Sequence, residues 1–373
     1  MRYIRLMTYN WQQNDWPEFY YDLSELGPVL NIISIKMGHV SGVVKALPEN
    51  IRSDAMIDLM VTEAIKTSEI EGEYMSRGDV KSSIRNHLGM NEKAVFVRDK
   101  RAQGIAQLML AVRDDYALPL TQDMFFSWHN MLMQGSTHIN IGQWRSHTEP
   151  MQIVSGVSYK PKIHFEAPPS VAVPQEMARF INWFNQSTAM HPVIRSAIAH
   201  LYFETVHPFE DGNGRIGRAL SEKALSQGLG RAVLISLSKT IEANKKAYYE
   251  ALENAQKSNE ITAWLTYFVH MVLDAQNEAE ALIDFVLSKT RFLEHYEPQL
   301  DEAHRKVIHR MLREGVKGFS GGMSAQKYST ITGVSKATAT RHLAYLMDIG
   351  ALTQTGSGRS TRYHLNFQVN VAN

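Results

Sequence analysis

The sequence predicts a mainly α-helical fold with one β-hairpin, and two patterns predict it. Apolar residues recur at three- and four-residue spacing from about residue 25 to residue 315, as amphipathic helices require. Between Met151 and Lys162 this spacing stops, and short apolar runs flank Ser155-Gly156, which is typical of a hairpin. Pro161, Pro168 and Pro169 are expected to close this hairpin. With 373 residues, the chain is long enough for two or three domains.

Four stretches show the helical spacing clearly. One of them follows Pro174, a residue that suits the first turn of a helix, and another leads directly to His207. The apolar positions are Met56, Leu59, Met60 and Ala64; Met177, Phe180, Ile181 and Phe184; Ile194, Ala197, Ile198, Leu201 and Tyr202; and Trp264, Phe268 and Met271 within Ile261–Leu287.

Composition excludes several kinds of site. The chain has 39 basic and 38 acidic residues, so any nucleic-acid surface must be local. It has no cysteine, which rules out disulfides, thiolate nucleophiles and cysteine metal sites and fits a cytoplasmic protein. The segment Thr8–Trp16 lacks the apolar stretch of a signal peptide, and no run of about 18 apolar residues predicts a membrane span.

The C-terminal segment changes character. Three short helices are expected, the last with Ser335 as its N-cap, followed by two strands that enclose a glycine-rich turn. This is the layout of a winged helix-turn-helix, which binds either DNA or another protein. The predicted elements are Ala303–Leu312, Ser324–Thr332, Ser335–Ile349, Leu352–Thr355 and Thr361–Leu365, and the residues expected to face DNA are Lys336, Thr338, Thr340, Arg341, Arg359 and Arg362.

Residues 207–218 read HPFEDGNGRIGR and combine four chemical functions. His207 can take a proton near neutral pH, and Asp211 offers the hard oxygen that Mg²⁺ prefers. The glycines before the next helix allow phosphate to approach free backbone N–H groups. Arg215 and Arg218 share one helix face and can bind phosphate as forked donors. Together these features indicate phosphoryl or nucleotidyl transfer.

The same string resembles the Fic family signature His-Pro-Phe-x-(Asp/Glu)-Gly-Asn-Gly-Arg-x-x-Arg and matches every fixed position. The resemblance implies a Fic-type helical bundle core at residues 46–295, with the hairpin as a flap. It also implies an N-terminal Fic-associated module at 1–45 and the winged helix-turn-helix at 296–373. The implied activity is protein adenylyltransferase: transfer of AMP from ATP to a Ser, Thr or Tyr hydroxyl of a target protein and of the chain itself.

The resemblance also implies a role for each site residue. His207 would be the general base, Asp211 would hold Mg²⁺, and Phe209 would anchor the loop in the core. The residues implied to contact the nucleotide are Gly212, Asn213 and Gly214 in an anion hole, Arg215 and Arg218 on the polyphosphate, Tyr248 and Tyr249 near the adenosine, and Ile153, Val154, Ser155 and Gly156 in the flap. Gln256 stands where some relatives carry an asparagine that contacts the nucleotide. The flap would also pair with an extended segment of the target protein.

The segment from Thr67 to Gly72 resembles the family's inhibitory pattern (Ser/Thr)-x-x-x-Glu-(Gly/Asn), on a helix expected at about residues 55–72. Glu71 would pair with Arg218 and occupy the place of the γ-phosphate, so that bound ATP is misaligned for attack.

Several readings stay open at this level. The alternatives to AMP transfer are that the chain removes AMP, that it transfers another nucleotide-derived group, that it is a nucleotide-sensing DNA-binding regulator, or that it is a scaffold with an inactive motif. A homodimer is expected from the resemblance. The sequence defines neither the target protein nor the modified hydroxyl.

Overall fold

The computed structural model describes residues 9–157 and 160–368. The chain divides into two compact units, one ending at Asn277 and the other beginning at Glu278. The helices and strands that begin in the first unit are α1 Gly27–Ala46, α2 Glu49–Ile70, α3 Arg77–His87, α4 Lys100–Asp114, α5 Gln122–Leu132, β1 Gln152–Val157, β2 Lys160–Glu166, α6 Val173–Gln186, α7 Pro192–Val206, α8 Asn213–Leu229, α9 Leu237–Ala243, α10 Lys245–Ala255 and α11 Thr262–Tyr296.

Helix α7 lies at the centre of the first unit. All its side chains from Val193 to Val206 are buried, so the stripe predicted from the sequence was too narrow. A helix that is buried on all sides is enclosed by other elements. Around it, α6 buries Met177, Phe180 and Phe184 as predicted, with Pro174 in its first turn. Because α7 ends at Val206, this core fixes the position of the residues that follow it.

The predicted hairpin is present, but it is longer than expected. Strands β1 and β2 are antiparallel, with Ser155 opposite Lys162 and Gly156 opposite Pro161. Pro161 was expected to close the hairpin but lies inside β2, which continues to Glu166. A two-stranded sheet has open edges, where a residue without an N–H group costs no ladder bond. Residues 158 and 159 of the predicted hairpin lie outside the described residues.

After the end of α11, the described residues of the second unit form three α-helices followed by an antiparallel hairpin. Their predicted positions are confirmed to within two residues, and the Ser335 hydroxyl caps the third helix by accepting a hydrogen bond from the backbone N–H of Thr338 at 3.2 Å. Tyr328, Leu343 and Leu346 are fully buried in this unit's own core. The elements are α12 Glu302–Leu312, α13 Ala325–Thr332, α14 Lys336–Asp348, β3 Leu352–Thr355 and β4 Arg362–Leu365.

None of the helices in the described parts of the chain is both long enough and apolar enough to cross a membrane.

Gly104 permits the close packing of α4 against the end of α5. A Cβ atom at this position would overlap the carbonyl oxygen of Met131, which is backbone and cannot rotate away. Gly104→Ala is therefore expected to lower the free energy of unfolding by about 1–3 kcal/mol. Gly38→Ala is the matched control, because Gly38 is exposed in α1 with no atom near its Cβ direction. The control should be neutral or stabilising by about 0.5–1 kcal/mol. Denaturant unfolding would measure both, and equal effects would contradict this account of the packing.

Candidate nucleotide site

His207 lies at the turn between α7 and α8 in a left-handed backbone conformation. Its φ and ψ are 49° and 60°, and among the described non-glycine residues it alone has a positive φ. Its N–H still donates to the carbonyl of Phe203 at 2.9 Å, so it ends α7 as a C-cap. Such a conformation costs on the order of 1–3 kcal/mol and persists where the surroundings hold it. The strain is therefore located on the residue predicted to act as the base.

Arg145 holds this turn from behind. Its Nε donates to the carbonyl oxygen of His207 at 2.8 Å, and its Nη2 donates to that of Val206 at 3.2 Å and to that of Pro168 at 2.5 Å. The residue is 2% exposed, and burial lowers the pKa of Arg145 to about 10. The guanidinium thus stays charged at neutral pH. No local sequence pattern indicates this role, because Arg145 lies 62 positions from the motif residue that it binds.

The loop after His207 is anchored by Phe209 and Asn213. Phe209 is fully buried and stacks on the ring of His129, with ring centroids 4.1 Å apart, so its predicted structural role is confirmed. The Asn213 side chain accepts from the Phe209 N–H at 2.9 Å and donates to the Phe209 carbonyl at 2.8 Å. Because both amide atoms are engaged, this side chain closes the loop. An anion would instead meet the backbone N–H groups in the first turn of α8.

His129 secures the other side of the loop as a neutral imidazole. Its Nδ1 accepts a hydrogen bond from the Gly142 N–H at 2.9 Å, so the ring proton lies on Nε2, which donates to the Asp211 carbonyl at 3.2 Å. Burial lowers the pKa of His129 to about 4. Protonation would both charge a buried ring and remove the bond from Gly142.

The turn opens onto a cavity of about 700 Å³, within the usual range of ligand pockets. The cavity brings together twelve of the fourteen predicted site residues. Arg215 does not line it, and the surroundings of Gly156 lie outside what the structure describes. The predicted residues that line it are Glu71, Ile153, Val154, Ser155, His207, Asp211, Gly212, Asn213, Gly214, Arg218, Tyr248 and Tyr249.

Arg218 is the buried cation of this cavity. Its Nη2 donates to Glu71 Oε1 at 2.7 Å and to the Thr67 carbonyl at 2.9 Å, and its Nε donates to Thr67 Oγ1 at 2.7 Å. Burial acts to lower the pKa of Arg218, but the Glu71 carboxylate outweighs it and the pKa is raised. The ion pair between Glu71 and Arg218 that the sequence predicted is therefore present.

The end of α2 places acidic side chains on both arginines of the motif. The helix ends at Ile70, and Gly72, with φ of 80°, turns the chain so that the Glu73 N–H donates to the Ser68 carbonyl at 2.9 Å. Glu73 Oε1 then contacts Arg215 Nη1 at 2.7 Å. This second ion pair was not predicted from the sequence, and it explains why Arg215 does not face the cavity.

Gly214 is required for the approach of Glu71. A Cβ atom at position 214 would overlap Glu71 Oε1 and come within 3.1 Å of Arg218 Nη1. The Gly-Asn-Gly sequence therefore serves the packing of the carboxylate as well as the turn.

Glu204 is a buried carboxylate beside His207 that sequence reasoning missed. Its Oε2 lies 3.6 Å from His207 Nδ1, which is longer than a hydrogen bond. Burial acts to raise the pKa of Glu204, but His207, His200 and Arg218 outweigh it and the pKa is lowered. The available signal was the position of Glu204 three residues before His207, as the only acidic residue of α7.

Tyr248 and Tyr249 of α10 both line the cavity. Tyr248 is 1% exposed and its hydroxyl lies 2.7 Å from His200 Nε2, whereas Tyr249 is 37% exposed. Burial raises the pKa of both phenols, so both stay protonated at neutral pH. Gln256 also lines the cavity, but its Nε2 donates to the Glu204 carbonyl at 3.2 Å.

Asp211 fits the metal-binding role expected of it. Its side chain is 58% exposed at the cavity, and Oδ1 accepts from the Gly212 N–H at 2.6 Å. A single exposed carboxylate beside a helix N-terminus is the type of donor that Mg²⁺ shares with a nucleotide.

The stability of this loop should depend on pH through His129. The pKa of His129 is about 4 in the folded state and 6.5 in the unfolded state, so between these two pH values the unfolded state binds more protons at this residue. The free energy of unfolding therefore falls as the pH is lowered through that range. The loss is up to about 3 kcal/mol. His129→Gln keeps a donor and an acceptor but does not titrate, so its unfolding free energy should depend less on pH. His270→Gln, at an exposed position of α11, is the control. Equal slopes for the three proteins would contradict the assignment.

Comparison with known proteins agrees with this geometry. Residues 119–225 match the Fic/DOC family, and residues 9–90 match a domain of unknown function (DUF4172). A probable protein adenylyltransferase of Aquifex aeolicus is 33% identical over 93 residues, which are 25% of this chain and 27% of that protein. The protein adenylyltransferase Fic of Culex quinquefasciatus is 33% identical over 126 residues, 33% of this chain and 23% of that protein. The chain thus spans about a quarter of the length of these two relatives.

A solved structure shares the fold. The crystal structure of a Fic family protein from Desulfovibrio desulfuricans G20 covers 93% of this chain and 98% of its own, with a TM-score of 0.55 and 21% sequence identity. The motif at residues 207–218 lies inside the matched range. The segment that carries the motif therefore matches the Fic/DOC family in sequence, and the chain shares the fold of a Fic family protein.

Proposed function

We propose that this chain is a protein adenylyltransferase that transfers AMP from ATP to a Ser, Thr or Tyr hydroxyl of a target protein and of itself. One observation carries the proposal: the imidazole of His207, the guanidinium of Arg218 and the N-terminus of α8 converge on one cavity of about 700 Å³. That volume suits a nucleotide. The adenylyltransferase relatives support the same activity.

In the proposed reaction, the target hydroxyl attacks the α-phosphorus, pyrophosphate leaves, and His207 takes the hydroxyl proton. The Glu204 carboxylate, 3.6 Å from the imidazole, stabilises the positive charge that this creates. The free N–H groups at the start of α8 bind the phosphate oxygens. Asp211 would hold Mg²⁺, which when bound neutralises phosphate charge. The exposed flap residues Val154 and Ser155 would pair with an extended target segment through a free strand edge.

We also propose that Glu71 inhibits the enzyme. In this structure its carboxylate forms an ion pair with the guanidinium of Arg218, which is the group assigned to bind the γ-phosphate of ATP. Glu73 forms a second ion pair, with Arg215. The Glu71 carboxylate then stands where the polyphosphate of a productively bound ATP would be, so the end of α2 must move before transfer.

The second unit is proposed to be a winged helix-turn-helix that binds DNA. Lys336, Thr340, Arg341 and Arg359 are exposed, which a groove-facing surface requires. A homodimer remains an expectation from the family resemblance.

Glu71→Gly should increase self-labelling with ATP by about tenfold or more, because it frees Arg218 and so lowers the barrier by at least ~1.4 kcal/mol. Adding His207→Ala should lower the labelling of target proteins in a host-cell lysate by about 10²–10⁴-fold, because it removes the base for the target hydroxyl. Transfer of label from ATP labelled in the α-phosphate measures both. Glu69→Gly is the matched control, since Glu69 is also near the end of α2 but its side chain pairs with Lys66.

Mass spectrometry of the labelled protein identifies the transferred group. An added AMP supports the proposal, whereas an added phosphate or phosphocholine would replace it with another transfer. If folded Glu71→Gly protein gains no label on itself and none on proteins of a host-cell lysate, the adenylyltransferase proposal is wrong.

A further inference from the structure

The flap carries a hydrogen-bonded series of side chains that the proposed mechanism does not use. Ser155 Oγ on β1 lies 2.6 Å from His164 Nε2 on β2, and His164 Nδ1 lies 2.7 Å from Glu253 Oε2 on α10. A hydroxyl, an imidazole and a carboxylate in this order form the arrangement that activates serine nucleophiles in hydrolases. All three residues line the nucleotide cavity.

The proton positions in this series follow from the carboxylate. Burial acts to raise the pKa of Glu253, but contacts with His164 and Lys257 outweigh it and the pKa is lowered, so Glu253 is ionised and can only accept. His164 Nδ1 therefore carries the ring proton. Nε2 is left with a lone pair that accepts the hydrogen bond from the Ser155 hydroxyl. The imidazole is thus held in the tautomer that can remove a proton from Ser155.

The backbone of the flap directs His164 into this position. Ile153 pairs with Phe165 and Val154 pairs with Ile163, so His164 is the additional residue at a β-bulge. Bulges of this kind redirect a side chain and are frequent beside active sites. Ser155 itself is exposed and so is accessible to a reactant in the cavity.

We propose that Ser155 is an AMP acceptor within this chain, activated by His164 and Glu253. The proposal rests on the adenylyltransferase function above and names the residue that self-modification would use. The Ser155 Oγ–phosphorus bond forms as the bond from the α-phosphorus to pyrophosphate breaks. The hydroxyl proton moves to His164 Nε2, and the Glu253 carboxylate stabilises the resulting imidazolium through its bond to Nδ1. ATP supplies the transferred group, and no other reactant is needed.

Peptide mapping by mass spectrometry tests this on the full-length Glu71→Gly protein after incubation with ATP and Mg²⁺. AMP is expected on the peptide that contains Ser155 and should be absent from that position in Ser155→Ala. Thr148→Ala removes an exposed hydroxyl that precedes the flap and should leave the modification of Ser155 unchanged.

His164→Gln separates activation from positioning. The glutamine amide can still hydrogen-bond to Ser155 but cannot take its proton, so the rate of AMP gain at Ser155 should fall by about 10²-fold or more. An unchanged rate would show that His164 only positions the flap, and would overturn the proposal.

The outcomes also separate this inference from the proposed function. AMP on other residues or on a target protein, with none on Ser155, overturns the inference and leaves the transferase function intact. No AMP on any protein overturns both.

Discussion

The buried guanidinium of Arg218 is the constraint on which the candidate site depends. At 2% exposure, the cation has almost no contact with water, and an uncompensated charge at such a position destabilises a fold by several kcal/mol. Glu71 and Thr67 supply the compensation here. A nucleotide phosphate can supply it equally well, because carboxylates and phosphates bind the same forked donors. The site therefore needs an anion at this point, and the proposed regulation is a competition between two anions for one cation.

The remaining architecture keeps His207 and the start of α8 in fixed positions around that cation. The left-handed backbone of His207 is held by α7, which is buried throughout, and by Arg145 on its carbonyl. The loop that follows is tied by Phe209 in the core and by Asn213 across the turn. The core thus positions the proposed base and the N–H groups that are proposed to bind phosphate. The end of α2 and the flap, which also line the cavity, carry the proposed regulatory and acceptor residues.

The sequence predicted the features that depend on short spacing. Helical periodicity located the helices, and the motif at 207–218 located the turn and the start of α8. The pair of Glu71 with Arg218 was predicted from the resemblance of residues 67–72 to the family's inhibitory pattern. The sequence did not predict Arg145 or Glu73, because their contacts join positions far apart in the chain and leave no local pattern. The His164 bulge was missed because side-chain direction in a strand depends on register, which alternation alone does not determine. Pro161 was misassigned for a related reason: a proline ends a central strand but is tolerated in a two-stranded sheet.

Calorimetric titration with ATP and with ADP, comparing the unmodified chain with Glu71→Gln, tests the competition for Arg218 most directly. If Glu71 occupies the place of the γ-phosphate, the substitution should strengthen ATP binding by about tenfold, equivalent to ~1.4 kcal/mol, and change ADP binding by less than about twofold. Equal changes for both nucleotides, or no change for either, would contradict the account.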